Sequence, residues 1–517
     1  METSDFSENQ KDSAEDLTCT NGRSVVASRE SFEVYDELSL LLSAPMTTSV
    51  DGEPSRSENV TPFSRKVYIL GPILFLMSFG YVANTLIFTQ RVYDITKQII
   101  FPGSGLHTSL DEPVCFRNQN SPNYIGEEDI QKITSMYNMY ASLCYGIPGV
   151  LSNLVFLALS DIYGRKLFIF ITVTGQFIAT GLLAIGMYSD WNIYDLLAIQ
   201  LLIGFTGGWI TSFSLGLAAI ADVTGAGRPR ALAIVLIEIA VGLGSLVGSA
   251  VSGYLIHLLH YRMAMVVSTA VACAGVVSSL VLPETLRVEH MRKLSVLQAF
   301  KNIFIIYTGD TSSVGRRWKF WMCLTALFFT FLSNFGKLGI ETLYQLNSPF
   351  CWSPVNVGWY TTLRTGLPLV IGMGLIKPFQ ACMDEHVIGI LGTISYIAGY
   401  VLEALATNDL MMFIVAFISF MGALPVPILR AIMSHMTPPE QQGSLFAGVA
   451  AVETVCTVVG SVTGNAIYAA TVDWFRGFTF LLFAGYTGIT GVLILVLLIE
   501  SRMRKVKQVS SVPYVVT

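Results

Sequence analysis

Charged residues are scarce in this sequence. Asp, Glu, Lys and Arg together make up 13% of the 517 residues, while hydrophobic residues make up 52%. Soluble domains carry about 25% charged residues, so the shortage excludes an ordinary soluble protein and indicates one that lies largely in a lipid bilayer. The formal net charge is -5 and no basic stripe is present, so we expect no nucleic-acid partner.

Cysteine pairs and catalytic clusters are missing as well. The eight cysteines include no C-x-x-C pair, which argues against zinc and thioredoxin-like chemistry. No phosphate loop, metal-ligand cluster or paired catalytic constellation is visible, so we expect no enzyme activity, no metal and no cofactor. Because residues 1–66 are polar, we also expect no cleavable signal peptide.

Long apolar runs are abundant, and twelve of them are long enough to cross a bilayer. They predict an all-α membrane protein of two six-helix halves, with spans near 67–89, 135–159, 167–187, 194–221, 231–257, 263–282, 320–341, 358–377, 387–405, 411–433, 445–469 and 478–499. The polar remainder predicts a disordered N-terminal tail over 1–66, a first half over 67–283, a connector over 284–318, a second half over 319–499 and a C-terminal tail over 500–517.

Lysine and arginine set the expected orientation. On this placement they are roughly three times as frequent on the side of the tails and the connector, so both termini and the connector are expected in the cytosol. Cys115 and Cys351 then both face the lumen or the exterior, where disulfides persist. We predict that these two cysteines pair and link the first loops of the two halves.

The N-terminal tail contains a candidate sorting signal. Asp36 lies four positions before Leu40, which Leu41 follows, and this resembles the acidic dileucine signal that sorting adaptors bind. Such patterns are frequent by chance, and a nascent amphipathic turn is the alternative. The expected location is the plasma membrane or an endosomal or lysosomal membrane.

A short polar hinge separates the second and third apolar runs. It contains Asp161, Gly164, Arg165 and Lys166 in the order D-x-x-G-R-K, and Gly164 permits a turn that other residues resist. The hinge resembles the loop between the second and third helices of the major facilitator superfamily, although the first glycine of that motif is missing. With the hinge on the cytosolic side, we predict that Asp161 and Arg165 form a gate that stabilises the outward-facing state, through contacts with helix ends in their own half and across to the other half. An ordinary basic turn is the alternative.

Five blocks in the second half resemble solute carrier family 46. They are residues 342–352, 427–430, 440–446, 468–471 and 477–482, and the resemblance covers roughly residues 67–500. The family includes the proton-coupled folate transporter, a thymic stromal cotransporter and a lysosomal relative; Glu453 and the block 477–482 favour the lysosomal relative. The family works by alternating access of its two halves around a site near the bilayer midplane.

Carboxylates inside apolar spans are candidate proton carriers, because a buried carboxyl group readily binds a proton. Glu238 in the fifth span matches a family glutamate implicated in proton coupling, and Glu453 in the eleventh span is a second candidate. Asp222 matches an aspartate important for folate transport. A structural ion pair is the alternative for Glu238, and a capping or gating role is the alternative for Asp222.

Cationic side chains inside the spans are candidate ligands for an anion. Arg430 matches a family arginine tied to substrate affinity or coupling, and Arg364 and Lys337 add positive charge. Glu341 lies one helical turn beyond Lys337, so mutual neutralisation of these two residues is the alternative. If all three cations are paired internally, the argument for an anion is lost.

Asn334 marks a departure from the family. The folate transporter has a histidine before Phe-Gly in the seventh span, where this chain has Asn334 before Phe335. Asn does not relay protons, which weakens the case for folate as the substrate and for that coupling route. Asn334 remains a candidate substrate ligand.

These features predict a proton-coupled symporter of an organic anion, with a small solute, protons and the bilayer as partners. One alternative is a uniporter or exporter of a non-folate solute, such as a steroid conjugate or a muropeptide-like fragment. Another is a membrane receptor or scaffold that does not transport, although a scaffold would not need charges inside its spans.

Overall fold

The computed structural model describes residues 68–100, 122–224, 228–286, 317–372, 374–437 and 442–510, and every regular element among them is a helix. The helices are α1 (Leu70–Ile100), α2 (Pro122–Tyr163), α3 (Arg165–Tyr188), α4 (Asp195–Phe205), α5 (Gly208–Val223), α6 (Arg228–Val281), α7 (Arg317–Gly336), α8 (Ile340–Leu346), α9 (Pro354–Leu367), α10 (Ile376–Cys382), α11 (Glu385–Ala404), α12 (Asp409–Ile418), α13 (Pro425–His435), α14 (Gln442–Thr471) and α15 (Phe478–Ser510). A π-helical turn, Pro368–Gly372, follows α9, and a 3₁₀ turn, Ser419–Ala423, follows α12.

The helices are long and apolar enough for a multi-pass membrane protein. Ten candidate membrane spans occur in the described residues. One of them, Leu236–Val281, has 46 residues, which is about 69 Å of helix and roughly twice the thickness of the hydrocarbon core. It breaks at His260, where φ is 57°, and so accounts for two of the predicted crossings. The ten spans thus hold eleven crossings, and the broken segment α9–α10 lies at the position predicted for the eighth crossing. The twelve-helix prediction is confirmed on this count of the described helices.

Two spans are interrupted at glycines with positive φ. Gly207 (φ 88°) separates α4 from α5, and Gly339 (φ 83°) separates α7 from α8. Residues with a Cβ rarely adopt this conformation, so glycine permits the break at both points. The interruption at Gly339 lies between Lys337 and Glu341.

Contacts between the first and last six spans hold the described helices together. The long helix α6 packs against α1 and α3 and also against α9 of the last six spans, while α2 packs against α14. One apolar cluster combines Leu86 of α1 with Tyr344, Tyr400 and Phe480 of the last six spans. The helices that bear Glu238 (α6), Arg364 (α9) and Glu453 (α14) therefore lie along the boundary between the two sets of spans.

Several sequence predictions fall outside the described residues. The tail with Asp36, Leu40 and Leu41, and the residues 287–316 of the connector, are among them. The predicted division into two halves and their flanking segments stays a prediction. At the other end, α15 continues to Ser510, past the predicted boundary at 499, and an ion pair between Glu500 and Arg504 one turn apart supports this extension.

Cys351 is disulfide-bonded in the structure. Its predicted partner, Cys115, lies in 101–121, outside the described residues, so the pairing of these two cysteines stays a prediction. Among the described residues, Cys144, Cys273, Cys323 and Cys456 have free thiols.

We expect alkylation of the denatured, unreduced protein to modify two cysteines fewer than alkylation after reduction, because the Cys115–Cys351 bond blocks two thiols. Intact mass spectrometry counts the modified residues, and mapping of the disulfide-linked peptides identifies the pair. In Cys115→Ser the difference should disappear. A Cys351 linked to any other cysteine would contradict the predicted pairing.

Candidate functional site

The predicted gating hinge lies between α2 and α3. Gly164 has a φ of 99°, and the position that a Cβ would take there is occupied by the carboxylate of Glu284. This carboxylate accepts hydrogen bonds from the backbone N–H groups of Arg165 at 2.8 Å and Lys166 at 3.2 Å. The first N–H groups of a helix lack helical partners and attract negative charge, so Glu284 caps α3 from the end of the sixth span.

The side chain of Arg165 forms ion pairs with two further carboxylates at the hinge. Its Nη2 lies 2.5 Å from Asp161 and its Nε lies 3.0 Å from Asp222. This position of Asp222 agrees with the capping or gating alternative, and its proton-coupling role stays a prediction. Within the described residues, the ion pairs and hydrogen bonds of Asp161, Arg165 and Lys166 lie inside the first six spans. Among the residues that the structure describes, the predicted contact of the hinge across to the other half is not formed in this conformation.

Three predicted site residues meet at the boundary between the two sets of spans. Arg430 on α13 lies between Glu238 on α6 and Glu453 on α14, with its Nη1 3.7 Å from Glu238 and its Nη2 2.9 Å from Glu453. The guanidinium group also lies over the ring of Phe331, 5.9 Å from its centroid. One cation therefore faces two carboxylates that come from opposite sides of the boundary.

The Arg430 triad is only partly buried. The side chains of Glu238, Glu453 and Arg430 are 34%, 21% and 24% exposed. This exposure leaves the carboxylates accessible to solvent protons. The sequence identified each of the three residues separately, and the structure brings them together.

Arg364 has carboxylate partners as well. Its Nε lies 3.4 Å from Glu341 and its Nη2 lies 3.5 Å from Glu403. Glu403 was missed in the sequence because it lies near the end of the ninth predicted span. Its position in an apolar run, between Leu402 and Ala404, is the signal that identifies it as an intramembrane carboxylate.

The alternative pairing of Lys337 with Glu341 is wrong. Gly339 breaks the helix between these residues, so they do not share a helix face, and Glu341 pairs with Arg364 instead. The Nζ of Lys337 lies over the ring of Tyr396, 5.6 Å from its centroid. Lys337 therefore lies beside an aromatic face, without an ion pair in the described chain.

A cavity of about 140 Å³ lies between the two sets of spans. Its walls carry amide and hydroxyl groups beside aromatic rings, including Asn84, Asn138, Gln176, Gln200, Ser142, Ser461, Asn465, Tyr81, Tyr145, Trp209 and Phe335. Arg430, Arg364, Lys337 and Asn334 lie outside this lining, and Asn334 is the neighbour of the lining residue Phe335. Their role in substrate binding therefore stays a prediction, and the cavity itself is an uncharged, amphipathic surface.

Small residues seal the boundary where α6 crosses α9. A Cβ on Gly253 would lie 2.6 Å from the carbonyl oxygen of Pro354 and 3.2 Å from the Cα of Gly358. Next to them, the hydroxyl oxygens of Ser249 and Thr362 are 3.0 Å apart. Such a close crossing of backbones requires glycine.

Ion pairs close the same boundary at the start of α2. Lys132 lies 2.8 Å from Asp473, and Arg476 lies 3.2 Å from Glu128. Both pairs join α2 to the turn between α14 and α15. In this conformation the two sets of spans are in contact on the predicted lumenal side.

Several known proteins are similar in sequence to this chain. The model of the Major Facilitator Superfamily matches residues 121–348. The lysosomal proton-coupled steroid conjugate and bile acid symporter of Homo sapiens is 30% identical over 431 residues, which cover 81% of this chain and 92% of that protein. The protein of the same name from Gallus gallus is 28% identical over 426 residues, with 81% and 91% coverage. The proton-coupled folate transporter of Bos taurus is 24% identical over 451 residues, with 86% and 94% coverage.

Solved structures share the fold at low sequence identity. The human organic anion transporter MFSD10 superposes with a TM-score of 0.58 at 16% identity, covering 84% of this chain and 100% of that one. The peptide transporter POT in complex with sulfate gives a TM-score of 0.56 at 14% identity, covering 87% and 96%. These likenesses support the helical architecture described above.

Proposed function

Since this chain belongs to solute carrier family 46 of the major facilitator superfamily and is a multi-pass membrane transporter, we propose that it couples protons to the movement of an amphipathic organic anion. The proposed cycle is symport by alternating access, driven by a lumen or exterior that is more acidic than the cytosol. Relatives named as a proton-coupled symporter and as a proton-coupled transporter support this choice.

The Arg430 triad is the observation that carries the proposal. The guanidinium of Arg430 has one positive charge and faces the carboxylates of Glu238 and Glu453. Protonation of Glu238, which makes the longer of the two contacts, removes the excess negative charge and releases the link between α6 and α13. A proton then changes the strength of a contact that joins the two sets of spans, which is what coupling to alternating access requires.

The cavity supports an amphipathic solute. Trp209 stacks on Tyr81 and Phe213, with centroids 5.6 and 5.5 Å apart, and forms one aromatic wall. Amide groups such as those of Asn84 and Asn138 offer hydrogen bonds on other walls. The cavity is smaller than the roughly 300–1,000 Å³ of ordinary ligand pockets. The solute would therefore bind to another conformation of the protein, in which this cavity is wider. Steroid conjugates and bile acids, which the relatives' names mention, combine an apolar body with a polar end.

An endosomal or lysosomal membrane is the proposed location. The candidate signal at Asp36, Leu40 and Leu41 and the lysosomal relatives support it. Both termini would then lie in the cytosol, and solute would move out of the acidic lumen.

The uniporter alternative keeps one supporting observation. Arg430 and Arg364 are both paired with carboxylates, and the cavity lining carries no charge. A neutral solute that moves without protons would fit that lining. Such a carrier would equilibrate its solute but would not concentrate it.

Reconstituted vesicles distinguish the two mechanisms. We expect a labelled steroid sulfate to accumulate up to about tenfold for each pH unit of imposed gradient, the limit for one proton per solute, because one pH unit corresponds to about 1.4 kcal/mol. A monoanion carried with one proton should move no net charge. Accumulation that ignores the gradient, with equilibration intact, would overturn proton coupling in favour of the uniporter. Folate, tested in parallel, reports on the folate-like alternative.

A further inference from the structure

A second group of charges lies deeper than the Arg430 triad and plays no part in the proposed coupling. Arg364 comes from α9, Glu341 from the first turn of α8, and Glu403 from the last turn of α11. The side chain of Arg364 is 4% exposed, that of Glu341 is 12% exposed and that of Glu403 is 0% exposed. Ionised groups at such depth need strong compensation.

The two carboxyl groups share one edge of the guanidinium. Glu341 contacts Nε at 3.4 Å and Glu403 contacts Nη2 at 3.5 Å. These two nitrogens point in the same direction and usually bind both oxygens of a single carboxylate, at roughly 2.7–2.9 Å. Here two carboxylates approach the same edge and both contacts are long, so the two carboxyl groups are neighbours.

Four polar atoms of this cluster have no hydrogen-bond partner in the described structure. They are the Oε1 atoms of Glu341 and Glu403, the Nε of Arg364 and the hydroxyl of Tyr360. Tyr360 is fully buried, as is Glu403. Buried polar groups are nearly always hydrogen-bonded, so the cluster is incomplete as a set of ionised side chains.

Among the described neighbours, Lys337 is a further cation near the cluster, but it makes no direct contact with either carboxylate. The titratable and charged groups that face the cluster are Lys337, Tyr344, Tyr360, Tyr396 and Tyr400. Tyrosines are neutral at physiological pH, and the hydroxyl of Tyr344 donates to the backbone oxygen of Glu403 rather than to its carboxylate. Lys337 lies over the ring of Tyr396 and beyond ion-pair distance of either carboxylate. With both glutamates ionised, the guanidinium of Arg364 would be in direct contact with two carboxylates, while Lys337 reaches neither of them at ion-pair distance.

We propose that Glu341 and Glu403 form a proton-binding site, in which the two carboxyl groups hold one proton between them. The O–H of one carboxyl group donates to an oxygen of the other, and the remaining negative charge pairs with Arg364. Two neighbouring carboxylates resist simultaneous ionisation, which favours one shared proton. The shared proton makes the cluster of Arg364, Glu341 and Glu403 neutral overall and completes its hydrogen bonds.

The site differs from the Arg430 triad in position and in consequence. Glu341 lies in the first turn of α8, in the lumenal part of the seventh crossing, and Glu403 lies in the last turn of α11, at its predicted lumenal end. Arg430 lies near the opposite, cytosolic end of its span. It connects three crossings of the last six spans and does not join them to Glu238. We therefore expect it to hold its proton with or without transported solute.

Infrared spectroscopy of the full-length protein in lipid at pH 7 tests the site directly. The wild type should show the band of a protonated carboxyl group, and Glu341→Gln and Glu403→Gln should each lose one equivalent of it. After either substitution the remaining carboxylate has Arg364 to itself and ionises, so the double substitution should remove no more signal than a single one. Glu500→Gln, which removes a carboxylate paired with Lys319 and Arg504, is the matched control and should leave the band unchanged.

The two single variants keep the test decisive if one of them does not fold. A band that is undiminished after either substitution in folded protein would overturn the shared proton. The readout does not depend on solute or on a pH gradient, so failure of the proposed symport leaves this result independent. Thermal unfolding of each purified variant confirms that the spectra come from folded protein.

Discussion

Glu238→Gln should abolish the response of solute accumulation to a pH gradient. Gln has the shape of a protonated Glu and cannot release a proton, so Arg430 would keep Glu453 as its single carboxylate partner. The variant should therefore behave as if permanently protonated. Its steady-state accumulation should stay near the equilibrium value where the wild type gains up to about tenfold for each pH unit.

The measurement combines accumulation with solute exchange in the same vesicles. Exchange of internal for external solute does not require release of the proton, so Glu238→Gln should retain it. Asp190→Asn serves as a control, because Asp190 lies on an exposed turn and its ion pair with Arg262 is solvent-accessible; this variant should respond to the gradient like the wild type. Gradient-driven accumulation by Glu238→Gln would exclude Glu238 as the proton carrier.

Gly253→Ala should have the second large effect, by opposing the close crossing of α6 and α9. The added Cβ would meet the backbone oxygen of Pro354 at 2.6 Å and the Cα of Gly358 at 3.2 Å. Backbone atoms at these distances cannot turn aside as a flexible side chain does, so the helices must separate. Overpacking of this kind costs about 1–3 kcal/mol, which corresponds to roughly 5–150-fold in a two-state equilibrium.

The cost applies only to the conformation in which the two helices touch, so the substitution should shift the conformational balance and slow transport. Thiol labelling of Thr362→Cys, whose native hydroxyl contacts Ser249, should increase when Gly253→Ala is added. Gly488→Ala is the matched control, since its Cβ would meet nothing within 4 Å. Equal labelling and equal transport in Gly253→Ala and Gly488→Ala would show that the crossing does not limit the cycle.

Hydropathy alone gave the helical fold and the number of crossings, because a membrane span is a local property of about 20 successive residues. The broken helices were harder to detect. Nothing in the apolar run around Gly339 distinguishes a helix break from continuous helix, and glycines are common inside spans. The mistaken pairing of Lys337 with Glu341 follows directly from that ambiguity.

The sequence by itself determined the family, the hinge and three members of the candidate coupling site, because motifs and intramembrane charges are visible one residue at a time. Only the tertiary structure decided which charges meet. Glu238 and Arg430 are almost 200 positions apart in the chain, and Arg364 finds Glu341 and Glu403 on two other helices. Charge pairing inside a bilayer depends on distances of a few ångströms between helices, and those distances are fixed by packing that no single span encodes.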